Sequence, residues 1–186
     1  MRALSVSIAI LTFSLIAAEG MPSGQAIGKM QGGNMQGGCG DYTANLHSEM
    51  KLMSGRLAAI TAGNTAADAP RIRPGVAYSV RLLSQEQVHF AVSPGQNRNA
   101  TRRSAGVLSL GTLPAGKWRI SADNPVWLDL IASGRIVNAS AFEMKTGCTT
   151  ILKTVVWTVK GNSRLFIQVN GATQPSVRLL VTRVSE

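Results

Sequence analysis

Met30, Met35, His47 and Met50 carry soft donors of the kind that bind copper. Thioethers suit Cu(I), and imidazole suits either oxidation state. His47 and Met50 stand three positions apart, so on a helix they would share a face. A copper-binding protein is therefore one reading of the chain. The competing role for Met50 is apolar packing, which it would share with Met53. Zinc has less to work with. His47 and His89 are the only histidines, and neither a His-Glu-x-x-His run nor a paired Cys-x-x-Cys occurs.

Hydrolytic chemistry finds little support. The chain has no Gly-x-Ser-x-Gly elbow. His89 sits between Val88 and Phe90 on an alternating run and reads as an outward strand residue. Asp123 and Asp129 flank a strand start, and Asp123 before Asn124-Pro125 reads as turn chemistry. No catalytic residue is assigned, and the chain is expected not to be an enzyme.

Anion recognition has a denser signal. Arg98, Arg102 and Arg103 fall within one polar loop, and no acid occurs from Gln87 to Ala122. Guanidinium forks pair well with carboxylate and phosphate, and a long loop is a common place for function. Arg71, Arg73 and Arg81 are expected near that loop. The formal net charge of +10 favours contact with anionic surfaces.

Arg2, the apolar stretch from Ala3 to Ala18 and the small residues after it have the outline of a secretory signal over residues 1–20. The apolar run is too short to span a bilayer, and no later segment is long and apolar enough to do so. An exported protein, periplasmic or secreted, is expected. Its partner would then be an anionic surface or another protein of the cell envelope, not nucleic acid. Export also directs the reading of Cys39 and Cys148 toward a disulfide, with a pair of thiolate metal ligands as the alternative. Closing so long a loop would stabilise by roughly 4–5 kcal/mol.

Residues 21–38 are rich in Gly and Met and nearly free of charge, which predicts a flexible tether. One domain over 39–186 follows. Tyr42, Leu46, Met50, Met53, Leu57 and Ile60 recur at spacings of three and four, which predicts one amphipathic helix over 41–61, with Asp41 as N-cap. From Arg71 the period becomes two. Val76-Tyr78-Val80, Val88-Phe90-Val92, Trp118-Ile120-Ala122, Val126-Leu128-Leu130, Ile151 to Val159, Leu165-Ile167-Val169 and Val177-Leu179-Val181 all alternate. Turn signals such as Ser133-Gly134, Lys160-Gly161-Asn162 and Asn170-Gly171 divide them. The pattern predicts a mostly β fold, an antiparallel β-sandwich or jelly roll over 71–184.

The run Leu113-Pro114-Ala115-Gly116-Lys117-Trp118-Arg119-Ile120, followed by Trp127-Leu128-Asp129-Leu130, resembles the strand signature of bacterial pre-peptidase C-terminal-type β-sandwich domains, over residues 106–171. That resemblance implies an accessory, binding or structural module. The leading expectation is a non-enzymatic binding or interaction module of the cell envelope. A copper carrier and an accessory domain of a secreted enzyme system are the alternatives.

Overall fold

The computed structural model describes residues 35–96 and 102–185. Residues 1–20, read as a secretory signal, most of the stretch read as a tether, with Met30, and Arg98 lie outside the described residues. No described helix is long and apolar enough to cross a membrane.

Eleven strands form two sheets. They are β1 (Ala58–Thr61), β2 (Ala77–Arg81), β3 (Leu83–Ser84), β4 (Ser104–Thr112), β5 (Gly116–Ala122), β6 (Trp127–Ala132), β7 (Arg135–Val137), β8 (Ala139–Met144), β9 (Lys153–Val159), β10 (Arg164–Ala172) and β11 (Ser176–Arg183). One sheet has the order β1-β2-β11-β5-β9-β8 and the other β3-β4-β10-β6-β7. All pairings are antiparallel except β1 with β2. The alternation read from the sequence fills the space between the sheets: Tyr78, Val80, Ile120, Leu128, Leu130, Trp157, Ile167 and Leu179 share one buried cluster. The fold is a mostly β sandwich.

A second cluster covers the outer face of the larger sheet. Tyr42, Leu46 and Met53 pack on Ala77, Ile151, Leu180 and Cys148. The stripe expected of an N-terminal helix is thus buried, but the helix α1 spans only His47–Ser54. Gly55 ends it, donating to the Leu52 carbonyl at 3.2 Å. Leu57 stays with this cluster, whereas Ile60 packs on the sandwich core from β1, which pairs with β2. Pairing with a sheet edge has overridden the helical period there. Asp41 does not cap α1. It closes a separate 3-10 turn, where its carboxylate accepts from the Gly38 N–H at 2.6 Å.

Cys39 and Cys148 are bonded, with a Cα–Cα distance of 4.5 Å and a separation of 109 positions. This excludes the thiolate-ligand alternative for the oxidised protein and is consistent with an oxidising, extracytoplasmic location. Beside the bridge, the Tyr42 hydroxyl donates to the Ile151 carbonyl at 2.7 Å. Burial pushes this phenol up to about 12, the Glu143 carboxylate adds to the rise, and a Lys145 backbone N–H opposes it. A raised folded-state pKa means that the stabilisation is full below the ordinary value near 10 and is lost as pH rises from about 10 to about 12. Tyr42→Phe is expected to cost about 1–2 kcal/mol at neutral pH by orphaning the carbonyl. It should also flatten the alkaline loss of stability, as urea melts at pH 7 and pH 11 would show.

The Val88-Phe90-Val92 alternation does not make a strand. After a 3-10 turn at Gln85–Gln87, this segment crosses the outer face of the smaller sheet as a strap. Val88 packs on Ala105 and Val107, with Phe90 beside them. Side chains of the sheet satisfy its backbone in place of a strand ladder. Gln168 accepts from Val92 N–H at 3.3 Å and donates to its carbonyl at 2.9 Å, and Asn170 donates to the Gln96 carbonyl at 3.1 Å.

Asn170-Gly171 is likewise no turn. It lies within β10, where Gly171 has φ +68° and the register with β4 shifts after Val169. A bulge with a left-handed glycine re-aims the neighbouring side chain, and Asn170 reaches the strap from it. Ser133 and Gly134, at φ +48° and +70°, do form the two-residue hairpin that joins β6 to β7.

Candidate anion-binding surface

The topology brings one end of each strand to a common edge of the sandwich. There β4 ends and β5 begins across Leu113-Pro114-Ala115, β6 turns into β7, β9 turns into β10, and β11 ends. Gly116 pairs with Val159, Arg164 with Thr112, Leu165 with Ala132 and Arg183 with Trp118, which fixes these turns side by side. The segment before β2 joins them, because the Gly75 N–H donates to Val181 at 2.8 Å. The signature residues Leu113 to Trp118 hold the crossover between sheets: the Trp118 indole donates back to the Pro114 carbonyl at 3.0 Å.

This end carries a concentration of charge that no stretch of sequence shows. In the larger sheet, the consecutive strands β2, β11, β5 and β9 present Arg73, Arg183, Lys117 and Lys160, one cation at each strand end. Neighbouring strands lie about 4.8 Å apart, so the strand ends that carry these cations stand side by side, with Arg183 on the face of its register partner Trp118 and Lys117 on the opposite face. The smaller sheet, about 10 Å away, adds Arg164 and Arg135, and Arg71 beside β4. All of these side chains are exposed, and none of the ion pairs among the described residues includes them. The described parts of these turns and strand ends contain no Asp or Glu. Charges of one sign gathered here sum to a potential that no described acid of these turns cancels.

A furrow runs from these strand ends toward α1. One depression, of about 390 Å³, is lined by Gly116, Lys117, Arg183, Val184 and Ser185. A second, of about 740 Å³, shares Arg183, Val184 and Ser185 with it and continues past Thr182 and Arg119 to Asn45, His47 and Ser48. Arg119 forms its buried wall. Its Nη1 donates to Glu49 at 2.7 Å, Thr182 Oγ1 donates to the same carboxylate oxygen at 3.2 Å, and its Nε is buried without an acceptor.

The described stems of the loop singled out by sequence lie at the other end of the sandwich, just before β4. The loop's described members are exposed Arg102, at φ +57°, and half-buried Arg103. The Arg103 carbonyl accepts from Gln85 N–H at 2.9 Å, while Asn170 holds Gln96, so the two stems of the loop sit on one base. Arg81 ends β2 at this same end, opposite Ser176. Arg71 and Arg73 do not join it. Arg71 bridges Ser109, five residues along β4 from Ser104, a distance of about 17 Å. The acids Asp123 and Glu86 also belong to this end. Asp123 is paired with Arg178 at 2.7 Å.

Among the described residues, the soft donors Met35 and Met50 do not converge on His47. Met50 packs into the cluster beneath α1 with fully buried Met53, His47 is exposed, and exposed Met35 is held through its carbonyl by Thr146. The described residues contain no group of three His, Cys, Asp or Glu side chains placed to hold a metal ion.

Asp129 is the buried acid with a perturbed titration: desolvation raises its pKa, opposed by the Gly95 N–H, the Trp127 indole and the nearby Lys153 charge. Both oxygens are occupied. Oδ1 accepts from Trp127 at 2.9 Å and Oδ2 from Gly95 at 3.0 Å, so this carboxylate fastens the strap to β6. Lys153 lies between the Trp127 and Phe142 rings and donates to the Val126 carbonyl at 2.6 Å, closing the sandwich at that corner.

No protein-family model, curated protein or solved structure matches the chain.

Proposed function

We propose that the protein is a non-catalytic binding module of the cell envelope that engages an anionic partner through the basic end of its sandwich. The observation that carries this reading is the cluster of exposed cations at one end of the sandwich, Arg73, Arg183, Lys117 and Lys160 with Arg164 and Arg135, on turns that hold no described acid. Strand ends and the short turns between them fix the backbone of these residues, so little loop ordering opposes association. The disulfide suits a partner met outside the cytoplasm.

The test compares the two ends of the molecule. The full chain is titrated against polygalacturonate and against phosphatidylglycerol vesicles at low and at physiological salt. Exposed contacts are each worth about 0.2–1 kcal/mol. Replacing Lys117, Lys160, Arg164 and Arg183 together by Ser is therefore expected to weaken the binding on the order of tenfold or more. Replacing Arg98, Arg102 and Arg103 by Ser is expected to weaken it much less. Binding should fall as salt rises, since the Debye length shrinks to about 8 Å at physiological strength. An end variant that binds as well as the parent at every salt concentration would overturn the proposal.

A further inference from the structure

We infer that the furrow between α1 and the ends of β5 and β11 takes a linear, carboxylate-bearing polysaccharide; the inference rests on the anionic-partner reading and names the occupant. The furrow has two chemical halves. Lys117 and Arg183 stand at its outer half, and the Arg183 guanidinium lies against Gly116, where a Cβ would come within 3.4 Å of Nη2. Asn45, His47, Ser48 and Thr182 line its inner half and offer hydrogen-bonding groups, next to the Glu49 carboxylate that Arg119 and Thr182 engage. A sugar acid presents both complements, a carboxylate for the cations and ring hydroxyls for the inner groups. A bare polyphosphate presents only the first.

The shape separates a chain-like occupant from a lipid surface. The two depressions share Arg183, Val184 and Ser185 in their lining, so they lie side by side, and a single extended chain reaches into both where a flat bilayer does not. Membrane binding by a surface element also draws on buried apolar area. Of the large exposed apolar side chains among the described residues, only Val76 stands among the turns of the basic end, and Leu52 lies inside the furrow. Beyond the furrow, Arg73 and Lys160 stand at the neighbouring strand ends on β2 and β9 and add positive charge on either side of it.

The experiment uses the full chain with polygalacturonate, its neutral methyl ester, inorganic polyphosphate and phosphatidylglycerol vesicles. Polygalacturonate is expected to bind, and the methyl ester to bind at least about tenfold more weakly. Lys117→Ser with Arg183→Ser should lower polygalacturonate affinity about tenfold. Arg135→Ser with Arg164→Ser, on the other sheet, should lower it less than about threefold. His47→Ala with Ser48→Ala should cost about threefold to fivefold for polygalacturonate and leave polyphosphate unchanged. Equal losses from the two arginine-containing pairs would overturn the furrow as the site. Vesicle binding without polygalacturonate binding would overturn the inference and leave the anionic-partner reading standing. Failure to bind any of the anionic probes at low salt would overturn both.

Discussion

Removal of the Cys39–Cys148 bridge, by reduction or by replacing both residues with Ala, is expected to lower stability by about 4–5 kcal/mol. The bond closes a loop of 109 positions, so its loss returns a large loop-closure entropy to the unfolded chain. The native state gives a second reason. The bridge ties the 3-10 turn at Cys39–Asp41 to the segment before β9, under which Tyr42, Leu46 and Met53 meet Ile151 and Leu180. Helix α1, over His47–Ser54, is too short to persist by itself. Its burial depends on the chain being held there at both ends. A domain of this size shifts its melting temperature by about 2–4 °C per kcal/mol, so a drop on the order of 10–20 °C is expected. Urea melts of the oxidised and reduced protein would check it. A change below about 1 kcal/mol would mean that the apolar cap holds α1 in place without the bond.

Glu49→Ala is expected to be nearly as damaging, at about 3–5 kcal/mol. The Glu49 and Arg119 side chains are each 10 % exposed and lie 2.7 Å apart, α1 supplying one and β5 the other. Arg119 already has a buried Nε without an acceptor. Losing Glu49 would strip the guanidinium of its one acceptor and leave a buried, uncompensated charge. Arg119→Met would leave the carboxylate with the Thr182 hydroxyl alone. The double variant Glu49→Met with Arg119→Met removes both charges and keeps volume, and it is expected within about 2 kcal/mol of the parent. Chemical denaturation of all four proteins closes the cycle. Additive losses would show that the two side chains do not act as a pair.

The residues themselves explain how much of this could be read from sequence. The sandwich was legible because β5, β6, β9, β10 and β11 each bury alternate residues against the opposite sheet. Ser133-Gly134 was legible as a turn because Ser-Gly is a common loop dipeptide, and the structure closes it into a two-residue hairpin with positive φ at both positions. The cysteine pair followed from an even count in a chain read as exported. Strand β4 was not legible. The strap covers its outer face, so Ala105 to Leu108 are buried on both sides and show no period of two. Strands β7 and β8 are sheet edges with half-exposed patterns that lack a clean alternation.

The helix was overextended for a related reason. Ile60 fits the helical stripe by spacing, but its burial comes from the sandwich core, on the far side of Gly55. The basic end was the least legible feature. Local sequence shows charge only where arginines are close in the chain, as at Arg98, Arg102 and Arg103. Arg73, Lys117, Lys160 and Arg183 are dozens of residues apart and become neighbours only through the strand order β2-β11-β5-β9. The signal that was available is indirect: each lies beside a turn or at the end of an alternating run, and none has an acid next to it in sequence.

Backbone amide shifts followed by NMR while polygalacturonate is added at low salt test the central claim most directly. The account predicts that perturbations concentrate at Gly116 and Lys117, at Lys160 to Arg164, and at Arg183 to Ser185, and that they fade as salt is raised. Perturbations centred on Arg102 to Ser104, or spread evenly over both ends of the sandwich, would contradict it.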